Sequence, residues 1–205
     1  MLDSKYQRFY DEIVKKIKKE KIFTDKLHTL AYGTDASFYR LIPKIVIKTD
    51  NAKEVQDIIE LSNSLNLSIT FRAGGTSLSG QAISDSILVI TSRNFSNFKI
   101  APDASYISLQ PALTGAQVNG LLARYSKKIG PDPASINAAM IGGIAANNAS
   151  GMCCGISQNS YKTLKSMKLI FADGAKLDTG CSESKDAFRK SHGDFLNDLK
   201  SFSQD

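Results

Sequence analysis

The stretch Arg72-Ala73-Gly74-Gly75-Thr76-Ser77-Leu78-Ser79-Gly80 mixes glycines with hydroxyl side chains and follows an apolar run that reads as a strand. Glycine accepts positive φ and lets a ligand come close to the backbone, so such a loop can turn consecutive N–H groups toward one anion. Thr76, Ser77 and Ser79 add hydroxyl donors, and a pyrophosphate suits a nest of this kind. Two other phosphate loops are excluded. A P-loop ends in Gly-Lys-Ser/Thr, and no lysine is present here. A GxGxxG fingerprint leads into an amphipathic helix, and this stretch has neither that spacing nor a helical pattern after it. Taken alone, it also reads as a plain turn rich in Gly and Ser.

A second stretch raises the odds of a ligand. Gly130-Pro131-Asp132-Pro133-Ala134-Ser135 is followed by Ile141-Gly142-Gly143-Ile144-Ala145-Ala146-Asn147-Asn148-Ala149-Ser150-Gly151. The prolines stiffen the first part, which lowers the entropy lost in holding a ligand-facing loop. From Met140 to Ala149 the side chains are small or apolar except for the asparagine pair. A flat cofactor can lie close to such a backbone, with Asn amides at its polar edges. The competing reading is a short helix packed tightly on a sheet and capped by the asparagines.

The elements that must hold these stretches can be read from periodicity and caps. Tyr6, Phe9, Tyr10, Ile13, Val14 and Ile17 recur at helical spacing, with lysines expected on the opposite face. Thr24 or Asp25 is placed to cap a short second helix, and Gly33 to Ser37 reads as a turn. Lys44 to Lys48 predicts a first strand and Leu67 to Phe71 a second. Between them Asn51 and Glu54 form a capping-box pattern that opens a helix ending at Asn66. This strand–helix–strand unit predicts parallel pairing of its two strands. Further strands are expected at Ile87–Ile90, Phe98–Ile100, Tyr106–Leu109 and Leu164–Phe171. Thr114 with Gln117 predicts a capped helix through Tyr125, and Met140 to Ala146 a short one. Asp173-Gly174 reads as a hairpin turn, and Glu183 to Phe202 as a helical tail.

Composition bounds the rest. The chain has 205 residues, 42% of them hydrophobic, with 26 Lys and Arg against 20 Asp and Glu, a net charge of +6. That length buries a sizeable core without disulfides. No apolar run approaches the roughly 20 residues that span a bilayer. The first residues lack the apolar centre of a secretory signal. Cys153, Cys154 and Cys181 form no CxxC, and His28 and His192 no HxxxH, so neither a zinc site nor a catalytic triad is expected. The lysines from Lys15 to Lys21 raise a polyanion-binding alternative, but acidic residues interrupt them and a solvated face explains them as well. A reducing cytoplasm is the expected setting, with peripheral attachment to the inner membrane face as the alternative.

In combination and in this order, the two stretches resemble the FAD-binding module of the vanillyl-alcohol oxidase/p-cresol methylhydroxylase superfamily. The nearest branch is that of the D-lactate, glycolate and D-2-hydroxyglutarate dehydrogenases. Arg72 to Gly80 is similar to that family's first pyrophosphate loop. Pro131-Asp132-Pro133 and Ile141 to Gly151 are similar to its second flavin-contacting stretch. Tyr32-Gly33-Thr34-Asp35 with Pro43 resembles the lead-in, and Phe171-Ala172-Asp173-Gly174 the later hairpin. The resemblance runs from about Tyr32 to Gly180.

The resemblance implies an α+β, two-lobed PCMH-type fold, with a small parallel α/β lobe at about 38–92 and a mixed or antiparallel lobe with helices at about 93–180. Residues 1–31 would form a basic helical segment ahead of the FAD-binding domain at 32–180, and 181–205 a helical tail leading into a missing portion. It implies non-covalent FAD, since Thr76 stands near the His of covalent members. Arg72 with the backbone and hydroxyls of Thr76, Ser77 and Ser79 would bind pyrophosphate, within a contact set that includes Ala73, Gly74, Gly75 and Gly80. Pro131, Gly142, Gly143, Asn147 and Ser150 would border the ring or ribityl chain, with Asp132, Ile141, Asn148 and Gly151 in the same set. The reaction implied is oxidation of a 2-hydroxy acid by hydride transfer to flavin N5, with an iron–sulfur or quinone-linked acceptor. The family's later Ser/Thr-Glu-Gly-Thr-Leu-Gly segment and substrate cap are not found before Asp205, so this chain alone is expected to be inactive. A non-catalytic flavin module or split subunit needing a second chain is the alternative.

Overall fold

The structure is a computed structural model that describes residues 2–202. It divides into two compact units, the first ending at Thr163 and the second beginning at Leu164.

The first unit opens with α1 (Ser4–Ile13), whose N-terminus is capped by the Asp3 carboxylate accepting from the N–H groups of Lys5 and Tyr6. After a 3-10 turn come β1 (Ile22–Phe23), α2 (Lys26–Ala31), β2 (Ile45–Thr49), α3 (Ala52–Leu65), β3 (Ile69–Arg72) and β4 (Ile87–Thr91). The caps are those the sequence predicts. Asp25 accepts from His28 N–H, Asn51 accepts from Glu54 N–H, and Asn66 closes α3 at φ 52°. Glu54 reaches back to Asp50 N–H rather than to Asn51, so that box is only half closed.

The strands form one sheet in the order β1-β2-β4-β3, with β2, β4 and β3 parallel and β1 antiparallel at the edge. The expected direct pairing of β2 with β3 is therefore corrected: β4 lies between them. The side chains give the reason. Ile87-Leu88-Val89-Ile90 is apolar at every position and buried throughout, so both of its faces must be covered. β3 carries Thr70 and Arg72 and leaves Phe71 exposed, which suits an edge. On one face Ile45, Ile47, Ile87 and Val89 pack with Phe9, Ile13, Ile17 and Ile58. On the other, Val46, Leu88 and Ile90 meet Phe23 and Tyr32.

The lysine cluster also differs from expectation. α1 stops at Ile13, so these lysines lie beyond the helix rather than on its outer face. Lys16 binds the buried Asp57 at 2.9 Å, and Lys21 binds Glu54 at 2.6 Å and Asp50 at 2.9 Å. Part of this charge neutralises carboxylates of the same unit instead of facing a polyanion.

Beyond β4, β5 (Phe98–Ile100) and β6 (Ile107–Leu109) form an antiparallel pair. α4 (Gly115–Leu122) carries the full Thr114/Gln117 capping box and ends in a 3-10 turn through Tyr125. Its Val118 and Leu122 form a small core with Leu113, bordered by Ile100, Ile107 and Ile141. A long loop then leads to α5 (Ile141–Ala146), and α6 (Ser160–Thr163), which periodicity did not reveal, closes the unit.

The second unit holds β7 (Lys168–Ile170) and β8 (Lys176–Asp178), antiparallel, with α7 (Ser182–Ser191) and α8 (Gly193–Phe202). Its strand is shorter than expected and its tail is broken at His192. Phe171 stacks on Phe188 at 4.7 Å, and His192 lies flat on Phe188 at 4.1 Å while pairing with Asp173 at 2.7 Å. Among the described residues no helix is long and apolar enough to cross a membrane.

Candidate functional site

The loop after β3 emerges from the C-terminal end of a parallel strand, where open α/β sheets place their ligand crevices. Gly75 takes φ 65° and Gly80 φ 70°, conformations that L side chains rarely adopt. The loop is tied at both ends to one short segment. Gly75 C=O accepts from Ala36 N–H at 3.0 Å. Farther on, the Asp35 carboxylate accepts from Ala82 N–H at 3.3 Å and from Ser37 N–H at 2.8 Å. Burial pushes the Asp35 pKa up, but the Ser37 and Ala82 bonds and the nearby Arg72 charge outweigh it and hold it below the usual Asp value.

The backbone N–H groups of Gly74, Gly75, Thr76 and Ser77 have no protein acceptor among the described residues, and neither does the Thr76 hydroxyl. Unsatisfied donors in a row form a concavity for an anion. Ser77 is otherwise engaged: its hydroxyl donates to Gln81 Oε1 at 2.9 Å and accepts from Ser79 N–H at 3.2 Å.

Across from this loop stands α5. Gly74 backs onto the Ala138 carbonyl so closely that any Cβ would collide with it. A Cβ on Gly143 would lie 3.5 Å from that of Ala73. Loop and helix thus wall one cleft of about 330 Å³, within the size range of small-molecule sites. Of the residues predicted for the site, Ala73, Gly74, Gly75, Thr76 and Ser77 line it from one side and Gly143 and Asn147 from the other. The Asn147 amide has no protein partner among the described residues.

The remaining predicted residues lie outside the cleft lining, and most have identifiable work. Arg72 Nη1 donates to Thr34 C=O at 2.7 Å and to Tyr32 C=O at 3.4 Å. Gly142 packs on Pro111, and the Ile141 side chain joins the α4 core. Asn148, at φ 45°, ends α5 and accepts from Tyr161 N–H at 3.0 Å. Asp132 accepts from the N–H groups of Cys153 at 3.2 Å and Cys154 at 3.1 Å. Desolvation raises its pKa, and hydrogen bonds from the Cys153 and Cys154 side chains and N–H groups more than reverse that. Gly151 sits on the Asp132 backbone with no room for a Cβ. Ser79, Gly80, Pro131 and Ser150 complete the set outside the lining.

Several lining residues were not among the predicted site residues, including Phe71, Gln81, Ser135 and Met140. Ser135 and Met140 lie within the second stretch, and Phe71 and Gln81 flank the first, which is the one signal that could have found them. No lining residue is charged, and none is a His, Cys or Tyr. Among the described residues no group of His, Cys, Asp or Glu is placed to hold a metal.

This donor set fits a dinucleotide pyrophosphate held by backbone dipoles, beside a small-residue wall for a flat ring. The family described as "FAD binding domain" matches residues 43–180. The chain is 26% identical over 172 residues to D-2-hydroxyglutarate dehydrogenase of Haemophilus influenzae, covering 80% of this chain and 16% of that protein. It is 28% identical over 161 residues to glycolate oxidase subunit GlcD of Escherichia coli, covering 75% of this chain and 32% of the relative. It therefore spans less than a third of either relative. Crystalline p-cresol methylhydroxylase shares the fold, with TM-score 0.74 at 14% identity over 90% of this chain and 38% of that one.

Proposed function

This chain belongs to the family of FAD-binding domains, and from that membership we propose that it forms the FAD-binding part of a flavin-dependent oxidoreductase acting on 2-hydroxy acids. The names of the two relatives support that substrate class. The single observation carrying the reading is the row of acceptor-free N–H groups from Gly74 to Ser77, opening onto an uncharged cleft.

In this reading the domain extends over about 32–180. The backbone of Gly74 to Ser77 and the Thr76 hydroxyl bind the pyrophosphate. Gly143 leaves room for the ring or ribityl chain, and the Asn147 amide offers a donor and an acceptor to its polar edge. The flavin supplies the two-electron oxidation, and the protein holds and orients it. Attachment is non-covalent, in keeping with a lining that has no His, Cys or Tyr. The electron acceptor is iron–sulfur or quinone-linked, and the setting is cytoplasmic or peripheral on the inner membrane face.

A second reading has its own support. Oxidising a hydroxyl carbon needs a base for the hydroxyl proton, and no lining residue of this cleft titrates near neutral pH. The base then comes from outside these walls, in another segment or another chain. By itself the chain seats the cofactor without completing a catalytic site.

Titration of the purified chain with FAD, followed by flavin fluorescence and visible absorption, tests both readings. Saturable binding with no turnover of D-2-hydroxyglutarate, glycolate or D-lactate is expected. A preparation that leaves FAD fluorescence unchanged would sink the first reading, and robust oxidation of a 2-hydroxy acid the second.

A further inference from the structure

We infer that Arg72 and Asp35 are positioning residues, which together brace the anion-binding loop against the Thr34–Ala36 segment rather than contacting the anion. This rests on the FAD-binding reading above and assigns to these side chains a task distinct from holding pyrophosphate.

The geometry is specific. The Arg72 guanidinium leaves β3 and turns back, with Nη1 spent on the Thr34 and Tyr32 carbonyls. Its other nitrogens lie against Gly75, where a Cβ would sit 2.6 Å from Nε and 2.7 Å from Nη2. Gly75 is thus required twice, for its positive φ and for this contact. The segment that Arg72 grips holds the loop in turn. Ala36 N–H ties Gly75, and the Asp35 carboxylate ties Ala82 on the far side. Arg72 and Asp35 therefore fix the two ends of one loop to one short strut, leaving the N–H groups of Gly74 to Ser77 unpaired. Nη1 serves both carbonyls while Nε and Nη2 lie against Gly75, a spread of planar nitrogens that a lysine ammonium does not reproduce.

Direct ligation and bracing predict different mutational patterns. If Arg72 met the pyrophosphate directly, its charge would matter most, and Arg72→Lys would keep much of the affinity while Asp35→Asn changed little. A brace predicts that Arg72→Lys and Asp35→Asn each weaken FAD binding roughly tenfold. Their combination should lose less than the product of the two, because both act through one strut. Binding of riboflavin, which lacks the pyrophosphate, should change little in either variant.

The experiment measures FAD and riboflavin affinities of the full 205-residue chain and the variants, with amide hydrogen exchange of the segments around Ala36 and from Gly75 to Ala82. Faster exchange there in both variants, with weaker FAD binding, is the expected result. Wild-type-like FAD affinity in Asp35→Asn, with affinity retained in Arg72→Lys, would overturn the brace. If the wild-type chain binds no FAD, the functional reading fails. The brace then stands or falls on exchange alone, and unchanged exchange in both variants rejects it.

Discussion

Gly143 of α5 faces Ala73 at the head of the glycine-rich loop, and a Cβ built on Gly143 would rest 3.5 Å from the Ala73 Cβ. That is ordinary van der Waals contact, so one methyl fits, and a larger side chain would extend into the cleft. Gly143→Ala should raise stability by about 0.4–1 kcal/mol, because it restricts the unfolded chain at a helical position. FAD affinity should stay within a few-fold of wild type. Gly143→Leu should fill the cleft and abolish FAD binding while the chain remains folded by circular dichroism.

Gly74 presents the opposite case. Its missing Cβ leaves space for the Ala138 carbonyl, a backbone group that cannot move aside without shifting the loop before α5. Gly74→Ala should cost about 1–3 kcal/mol in urea unfolding, the usual range for overpacking. It should also weaken FAD binding, since the collision separates the walls of the cleft.

Asp132 holds the turn that carries Cys153 and Cys154 by accepting both of their N–H groups. Cys154 is buried, whereas Cys153 is exposed. Asp132→Ala should release the turn, so that Cys154 becomes reactive toward a thiol reagent under native conditions. Mass spectrometry of the labelled peptides reads the result directly. Continued protection of Cys154 would show that the clamp is not needed.

Asp57 gives a pH dependence with a definite sign. Burial raises its pKa, but hydrogen bonds from Lys53 and Lys16 outweigh that and leave it lowered. Asp50 follows the same pattern, with Ser92, Lys21 and Asn94 opposing burial. A lowered folded-state pKa means the stabilisation is complete above the unfolded Asp value of about 3.9 and disappears as pH falls through the folded value. Urea midpoints should therefore fall on acidification below about pH 4. In Asp57→Asn the fall should be shallower, after a loss of about 1–3 kcal/mol at neutral pH.

Phe9 is fully buried against the sheet, beside Ile13 and Ile17. Phe9→Ala should destabilise the first unit by about 3–5 kcal/mol, the range for emptying a large core position. Calorimetry or denaturant unfolding measures it. A near-neutral result would show that α1 is an appendage rather than part of this core.

What the sequence determined by itself is the local structure. Thr114 with Gln117, Asp25, Asn51 and Asn66 mark helix ends because caps join residues only a few positions apart. The two glycine-rich stretches were legible for a similar reason, since their conformational freedom and hydroxyl content are properties of the segments. The tertiary structure alone decided the order of the sheet, with β4 between β2 and β3, because that depends on which strand needs both faces covered. It also decided that Arg72 turns back to the Tyr32 and Thr34 carbonyls, and that Gly74 meets Ala138 while Gly143 meets Ala73. These are contacts between residues remote in the chain, set by packing and by the pairing of buried polar groups, and no short window of residues contains them.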